Sequence, residues 1–129
     1  MKNMNTLEEF ESRDINLLTC FNSKYAKYIL IAIDSYLQNS SLNLHPTFAI
    51  DNSVNQEQVK IISSVFPNSN FIRIDSNSVV NDFPTFLKFS KLHISAMYRI
   101  YAIQHLEERL TLYVDADTIC RGSLKGLYK

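Results

Sequence analysis

Two aspartates one residue apart, Asp115 and Asp117, close the apolar run in LTLYVDADTICRGSL. Carboxylates this close repel each other unless a cation lies between them, and their hard oxygens suit Mg²⁺ or Mn²⁺. Residues 110–114 read as a strand covered on both faces, so the pair emerges at the carboxyl end of that strand. In open α/β sheets that edge is where ligands sit. Side chains alternate along extended chain, so Asp115 and Asp117 face one side and Ala116 the other. The two glycines, Gly122 and Gly126, both follow the aspartates. The sequence therefore has neither a Gly-x-Gly-x-x-Gly turn nor a P-loop to cradle phosphates. A divalent cation held by carboxylates does that electrostatic work instead, and the pair reads as a metal-dependent diphosphate site.

The elements that must position this pair alternate along the chain. A short polar helix is expected within residues 5–13, then a buried strand over 15–20. Tyr25, Tyr28, Ile29, Ala32, Ile33, Tyr36 and Leu37 recur at helical spacing, with Asn22 or Ser23 as the cap. A second strand is expected over 47–51. A helix follows from a capping box over Ser53–Gln56, carrying Val59, Ile61, Ile62 and Phe66 up to Pro67. A third strand is expected over 70–75 and a polar loop containing Pro84 over 76–86. A long helix over 88–106, with Leu92, Ala96, Ile100 and Ile103 on one face, then leads to the strand that ends in the aspartates. This order predicts an α/β fold with a mostly parallel sheet flanked by helices.

Composition narrows the function classes. The 129 residues, 46% hydrophobic, can bury one core of ordinary size. Thirteen basic and thirteen acidic residues cancel, so no global field draws the chain to nucleic acid. No apolar stretch is long enough to span a bilayer and the amino terminus lacks a signal-peptide core, which makes a cytoplasmic location the expectation. Cys20 and Cys120 are too far apart in sequence for a short metal or redox motif and read as small buried thiols. His45, His93 and His105 lack ligand spacing and read as surface or capping residues, His93 being the one that could face a ligand.

The block LYVDADTICRGSLKGLY resembles the strand and Asp-x-Asp motif of family 8 glycosyltransferases, especially bacterial lipopolysaccharide glucosyl- and galactosyltransferases. INLLTCFNSKYAKYILIAIDSYLQNS is similar to that family's opening strand, base-binding loop and first helix, and HISAMYRIYAIQHL to the helix ahead of its metal motif. The resemblance implies a GT-A type nucleotide-diphospho-sugar transferase fold. It implies transfer of a hexose from a UDP-sugar, with retention, to a saccharide or lipopolysaccharide-core acceptor. It also implies Mn²⁺ (or Mg²⁺) held by Asp115 and Asp117. Tyr25 matches the tyrosine that stacks on uracil, Arg99 the arginine that approaches diphosphate and sugar, and Asn22 stands where a base-bonding side chain is expected. Residues 1–13 are read as an amino-terminal extension. Residues 14–129 are read as the donor half of a GT-A domain, incomplete at the carboxyl end and with little activity alone. Peripheral membrane association fits such an acceptor.

Two other classes compete. An Asp-x-Asp after a buried strand also serves haloacid dehalogenase-like phosphatases, in which the first aspartate attacks phosphorus and the second handles protons. That motif normally opens its domain, whereas here more than a hundred residues precede it. A non-catalytic remnant or assembly partner, retaining the sheet, is the third reading.

Overall fold

In the computed structural model, which describes residues 6–75, 77–78, 98–106 and 109–128, the apolar run after Arg13 forms β1 (Asp14–Phe21). It pairs in parallel along its whole length with β2 (Asn43–Ile50), Asp14 opposite Asn43 and Phe21 opposite Ile50. β3 (Asn70–Arg73) extends the sheet beyond β2, and β4 (Thr111–Tyr113) flanks β1 on the other side. The order β3-β2-β1-β4 is parallel throughout, as the alternating pattern predicted. A short α1 (Leu7–Ser12) precedes the sheet. α2 (Ala26–Asn39) and α3 (Gln56–Val65) make the crossovers, α4 (Tyr98–Ile103) precedes β4, and a 3-10 turn covers Lys125–Tyr128.

The two-residue period of β1 divides the core. Ile15, Leu17 and Phe21 join Leu44, Phe48 and Ile50 of β2 on the face covered by Ile29 and Ile33 of α2 and Ile62 of α3. Leu18 and Ala49 point the other way, where Ile74 and Tyr98 and Ala102 of α4 cover them. Both faces are therefore closed over β1 and β2, and near-continuous apolar strands result. One polar group is caught inside: Thr19 is 0% exposed, and among the described residues its hydroxyl has no hydrogen-bond partner. A buried hydroxyl without a partner carries its full desolvation cost. Thr19→Val is accordingly expected to raise stability by about 1 kcal/mol, seen as a higher urea midpoint at an unchanged slope.

Several local expectations are corrected. α2 starts at Ala26 with Tyr25 as its first flanking residue and no side-chain cap; Asn22 instead accepts the Lys24 N–H at 3.0 Å, closing a turn ahead of the helix. Its buried stripe is Ala26, Ile29, Ala32 and Ile33, while Tyr25, Tyr28 and Leu37 are exposed. The capping box of α3 is made by Asn55 and Gln58, two residues later than predicted. β2 begins four residues early, running through His45 and Pro46. Pro46 lies just before Thr47, where β3 starts to pair, so no ladder bond is needed on that side. In α4 the buried residues are Tyr98 and Ala102, and Ile100 and Ile103 are exposed, opposite to the predicted stripe. Of the loop predicted over 76–86 only residues 77–78 are described, and they are helical; the rest of it, residues 88–97 of the predicted helix and His93 lie outside the described residues.

Candidate functional site

The carboxyl ends of β1, β2 and β4 share one edge of the sheet because all run parallel. β4 delivers the aspartates to it: Val114 donates its N–H to the Leu18 carbonyl at 3.0 Å, and the ladder then stops. Asp115 and Asp117 are both exposed while Ala116 is buried, although β4 ends at Tyr113 and Ala116 and Asp117 lie in a turn rather than in extended chain. The chain turns at once, with the Thr118 hydroxyl donating to the Asp115 carbonyl at 2.7 Å. It is then fastened along α2. Tyr36 meets the Thr118 hydroxyl at 3.0 Å, Ser35 accepts the Cys120 N–H at 2.8 Å and Asn39 donates to the Cys120 carbonyl at 3.0 Å. The polar face of α2 thus anchors the segment carrying the carboxylates.

Arg99 comes to the same edge. Its guanidinium lies over the ring of Tyr113, 4.8 Å from the centroid, a cation–π contact that fixes a long side chain. Tyr113 lies between Cys20 and Asp115: burial pushes its hydroxyl up to about 12, with the charge field of Cys20 adding to the rise and Arg99 opposing it. Burial likewise pushes the Cys20 thiol up to about 12, against the pull of Arg99. Both groups are uncharged at neutral pH. Arg99 and Asp115, nominated separately from sequence, are therefore joined through Tyr113, which was not nominated. The period of β4 carries that signal, since Tyr113 and Asp115 share a face.

Asn22 and Tyr25 occupy the loop after β1. The Tyr25 N–H returns to the Asn22 carbonyl at 3.1 Å, and the Tyr25 ring, 38% exposed, stands 6.0 Å from that of Tyr28. Beside this loop is a residue the sequence reading passed over. Asp51, directly after β2, accepts the Ser53 N–H at 2.9 Å, the Ser53 hydroxyl, and the Tyr98 hydroxyl at 3.0 Å. An aspartate closing TFAID at the same edge as Asp115 was the available signal. Cys20 and Cys120 are free thiols as expected. His45 binds Asp14 at 2.8 Å and, with His105 and Arg109, lines a cavity of about 210 Å³ toward the amino ends of the strands, away from the carboxylates.

A divalent cation fits the donor set at Asp115 and Asp117, two exposed hard-oxygen groups on one edge. Among the described residues no third His, Cys, Asp or Glu completes a protein-only metal cluster. Two carboxylates suit an ion that keeps its remaining positions for phosphate oxygens and water.

The glycosyl transferase family 8 model matches residues 16–129. A crystal structure of an active-site mutant of LgtC aligns with a TM-score of 0.70 at 18% identity, covering 87% of this chain and 41% of that one. The galactosyltransferase LgtC in complex with donor and acceptor sugar analogues aligns at 0.66 and 16% identity, with the same coverage. Mouse xyloside xylosyltransferase 1 aligns at 0.54 and 12% identity, covering 90% of this chain and 48% of that one. At these identities the likeness establishes the fold, a GT-A type, and this chain spans less than half the length of each of these structures. No curated protein matches the sequence. No match supports the phosphatase reading.

Proposed function

The chain belongs to glycosyl transferase family 8, and from that premise we propose that it forms the donor-binding half of a retaining hexosyltransferase that takes its sugar from a UDP-hexose. The observation that carries this reading is the convergence of Arg99, Tyr113 and Asp115 at the carboxyl edge, beside the loop of Asn22 and Tyr25. In this assignment the exposed ring of Tyr25 offers a stacking surface to the uracil and the Asn22 carboxamide a hydrogen bond to its edge. Arg99, oriented by the Tyr113 ring, directs N–H donors at the diphosphate and sugar. Asp115 and Asp117 hold Mn²⁺ or Mg²⁺, which when bound supplies a Lewis acid against the charge that develops on the departing UDP. The acceptor is a saccharide, and the resemblance to lipopolysaccharide transferases supports a surface glycan such as the lipopolysaccharide core. A cytoplasmic location with peripheral membrane contact belongs to the same reading. Among the described residues no helix is long and apolar enough to cross a membrane.

Calorimetric titration of the 129-residue chain with UDP-glucose and UDP-galactose, in Mn²⁺ and in EDTA, tests the proposal. Binding that strengthens in Mn²⁺ is the expected result, with slow donor hydrolysis at most and no efficient transfer. Absence of binding to either sugar nucleotide, or cleavage of phosphomonoesters, would reject it.

A further inference from the structure

Three hydrogen bonds join the two halves of the proposed donor site through one carboxylate. The Ser23 N–H, in the loop that presents Asn22 and Tyr25, donates to the Ser53 hydroxyl oxygen at 2.9 Å. That hydroxyl donates in turn to Oδ1 of Asp51, which also accepts the Ser53 N–H at 2.9 Å. Oδ2 of Asp51 accepts the hydroxyl of Tyr98 at 3.0 Å. Tyr98 is 1% exposed and sits in α4 immediately before Arg99. The path therefore runs from the loop after β1, through the loop after β2, to the helix bearing Arg99.

The junction is itself held. The main-chain carbonyl of Asp51 accepts from the Arg73 guanidinium at 3.2 Å, and the same nitrogen reaches the Val54 carbonyl at 3.1 Å. Gln58, already part of the α3 cap, donates to the Ser23 carbonyl at 3.4 Å. A carboxylate suits this place because each of its oxygens can accept from a different element at once. Alanine offers no acceptor, and asparagine offers one oxygen for the two sides.

We propose that Asp51 is a positioning residue for donor binding, tying the loop of Asn22 and Tyr25 to the helix of Arg99 so that nucleobase and sugar–diphosphate contacts keep a fixed separation. This deepens the reading above and rests on Asn22, Tyr25 and Arg99 contacting the donor. Asp51 touches neither base nor sugar in this role. It acts through Ser53 on one side and through Tyr98 on the other, and the sides can be cut separately. Preorganisation of this kind lowers the ordering cost of binding a ligand that spans both contacts.

The experiment compares Ser53→Ala, Tyr98→Phe and Asp51→Ala with the unaltered chain, using uridine and UDP-glucose as probes followed by NMR titration in Mn²⁺. Ser53→Ala is expected to weaken both probes by a similar factor, about fivefold for one hydrogen bond. Tyr98→Phe is expected to leave uridine affinity unchanged and to weaken UDP-glucose about fivefold. Asp51→Ala combines the two losses. Ser53→Ala and Tyr98→Phe each remove a hydroxyl and keep the packing, so they decide the matter if Asp51→Ala does not fold. Amide hydrogen exchange reads the tie without ligand: Ser23 should exchange faster in Ser53→Ala, and Ala102 in Tyr98→Phe. Uridine and UDP-glucose affinities that fall in parallel in Tyr98→Phe would overturn the positioning role while leaving the donor site standing. An unaltered chain that binds neither probe would overturn the donor site and the positioning role together.

Discussion

Asp117→Asn is expected to abolish the strengthening of UDP-hexose binding by Mn²⁺ and to lower affinity in Mn²⁺ by at least about a hundredfold, while binding in EDTA stays as it was. The magnitude follows from metal sites, where loss of even an outer partner of a ligand costs about 10–100-fold in affinity. Asp117 is exposed, so the substitution should leave the fold within about 0.5 kcal/mol of the parent. Relief of like-charge repulsion with Asp115 acts in the stabilising direction. Asp115→Asn should differ in kind. Asp115 also interacts with Tyr113, whose ring holds Arg99, so this variant should lose affinity in EDTA as well as in Mn²⁺. Calorimetry in both conditions, with melting curves as the fold control, separates the two aspartates. Folded variants whose Mn²⁺ response matches the parent would remove both residues from the metal site.

The parts of this arrangement that were legible in the sequence are those set by one strand at a time. The apolar run of β1 is buried as read, and parallel pairing with it places the end of β4 at the carboxyl edge. β4 itself is only partly covered, and Asp115 and Asp117 are exposed around Ala116 in a turn that follows it. Helix faces were less legible. In α2 the expected Ile29, Ala32 and Ile33 are buried, but Ala26 completes the stripe while Tyr25 and Tyr28, which also recur at helical spacing, are exposed. In α4 Tyr98 is buried and Ile100 is not, since the tyrosine finds a buried body contact and an acceptor in Asp51 together. Asp51 belongs to no motif, and Tyr113 stands in the strand that leads into the Asp-x-Asp motif. Their significance comes from the parallel register, which sets strand ends distant in sequence side by side. The sequence carries a signal for each residue taken alone, Tyr113 in the period of β4 and Asp51 at the close of TFAID, but which other strand end each meets is a property of pairing.

Phe48→Ala should be the most damaging single substitution in the core, costing about 3–5 kcal/mol. Phe48 is 0% exposed at the middle of β2, with the rings of Phe21, Phe66 and Phe71 at 5.8, 6.1 and 5.2 Å. Those rings come from β1, the end of α3 and β3, so one truncation opens a cavity at the meeting point of three elements. Domains of this kind are stable by about 5–15 kcal/mol in total, and a loss of this size removes a large share. The effect should also reach the edge, because Asp51 lies three residues after Phe48, directly past the end of β2, and depends on β2 for its place between Ser53 and Tyr98. Urea denaturation measures the loss directly. Phe48→Leu, which keeps most of the volume, should cost well under half as much, and Ile31→Ala, at a residue 63% exposed, should stay within about 0.5 kcal/mol. A Phe48→Ala cost below that of Phe48→Leu, or equal to that of Ile31→Ala, would mean that the aromatic cluster does not hold β1, β2, β3 and α3 together.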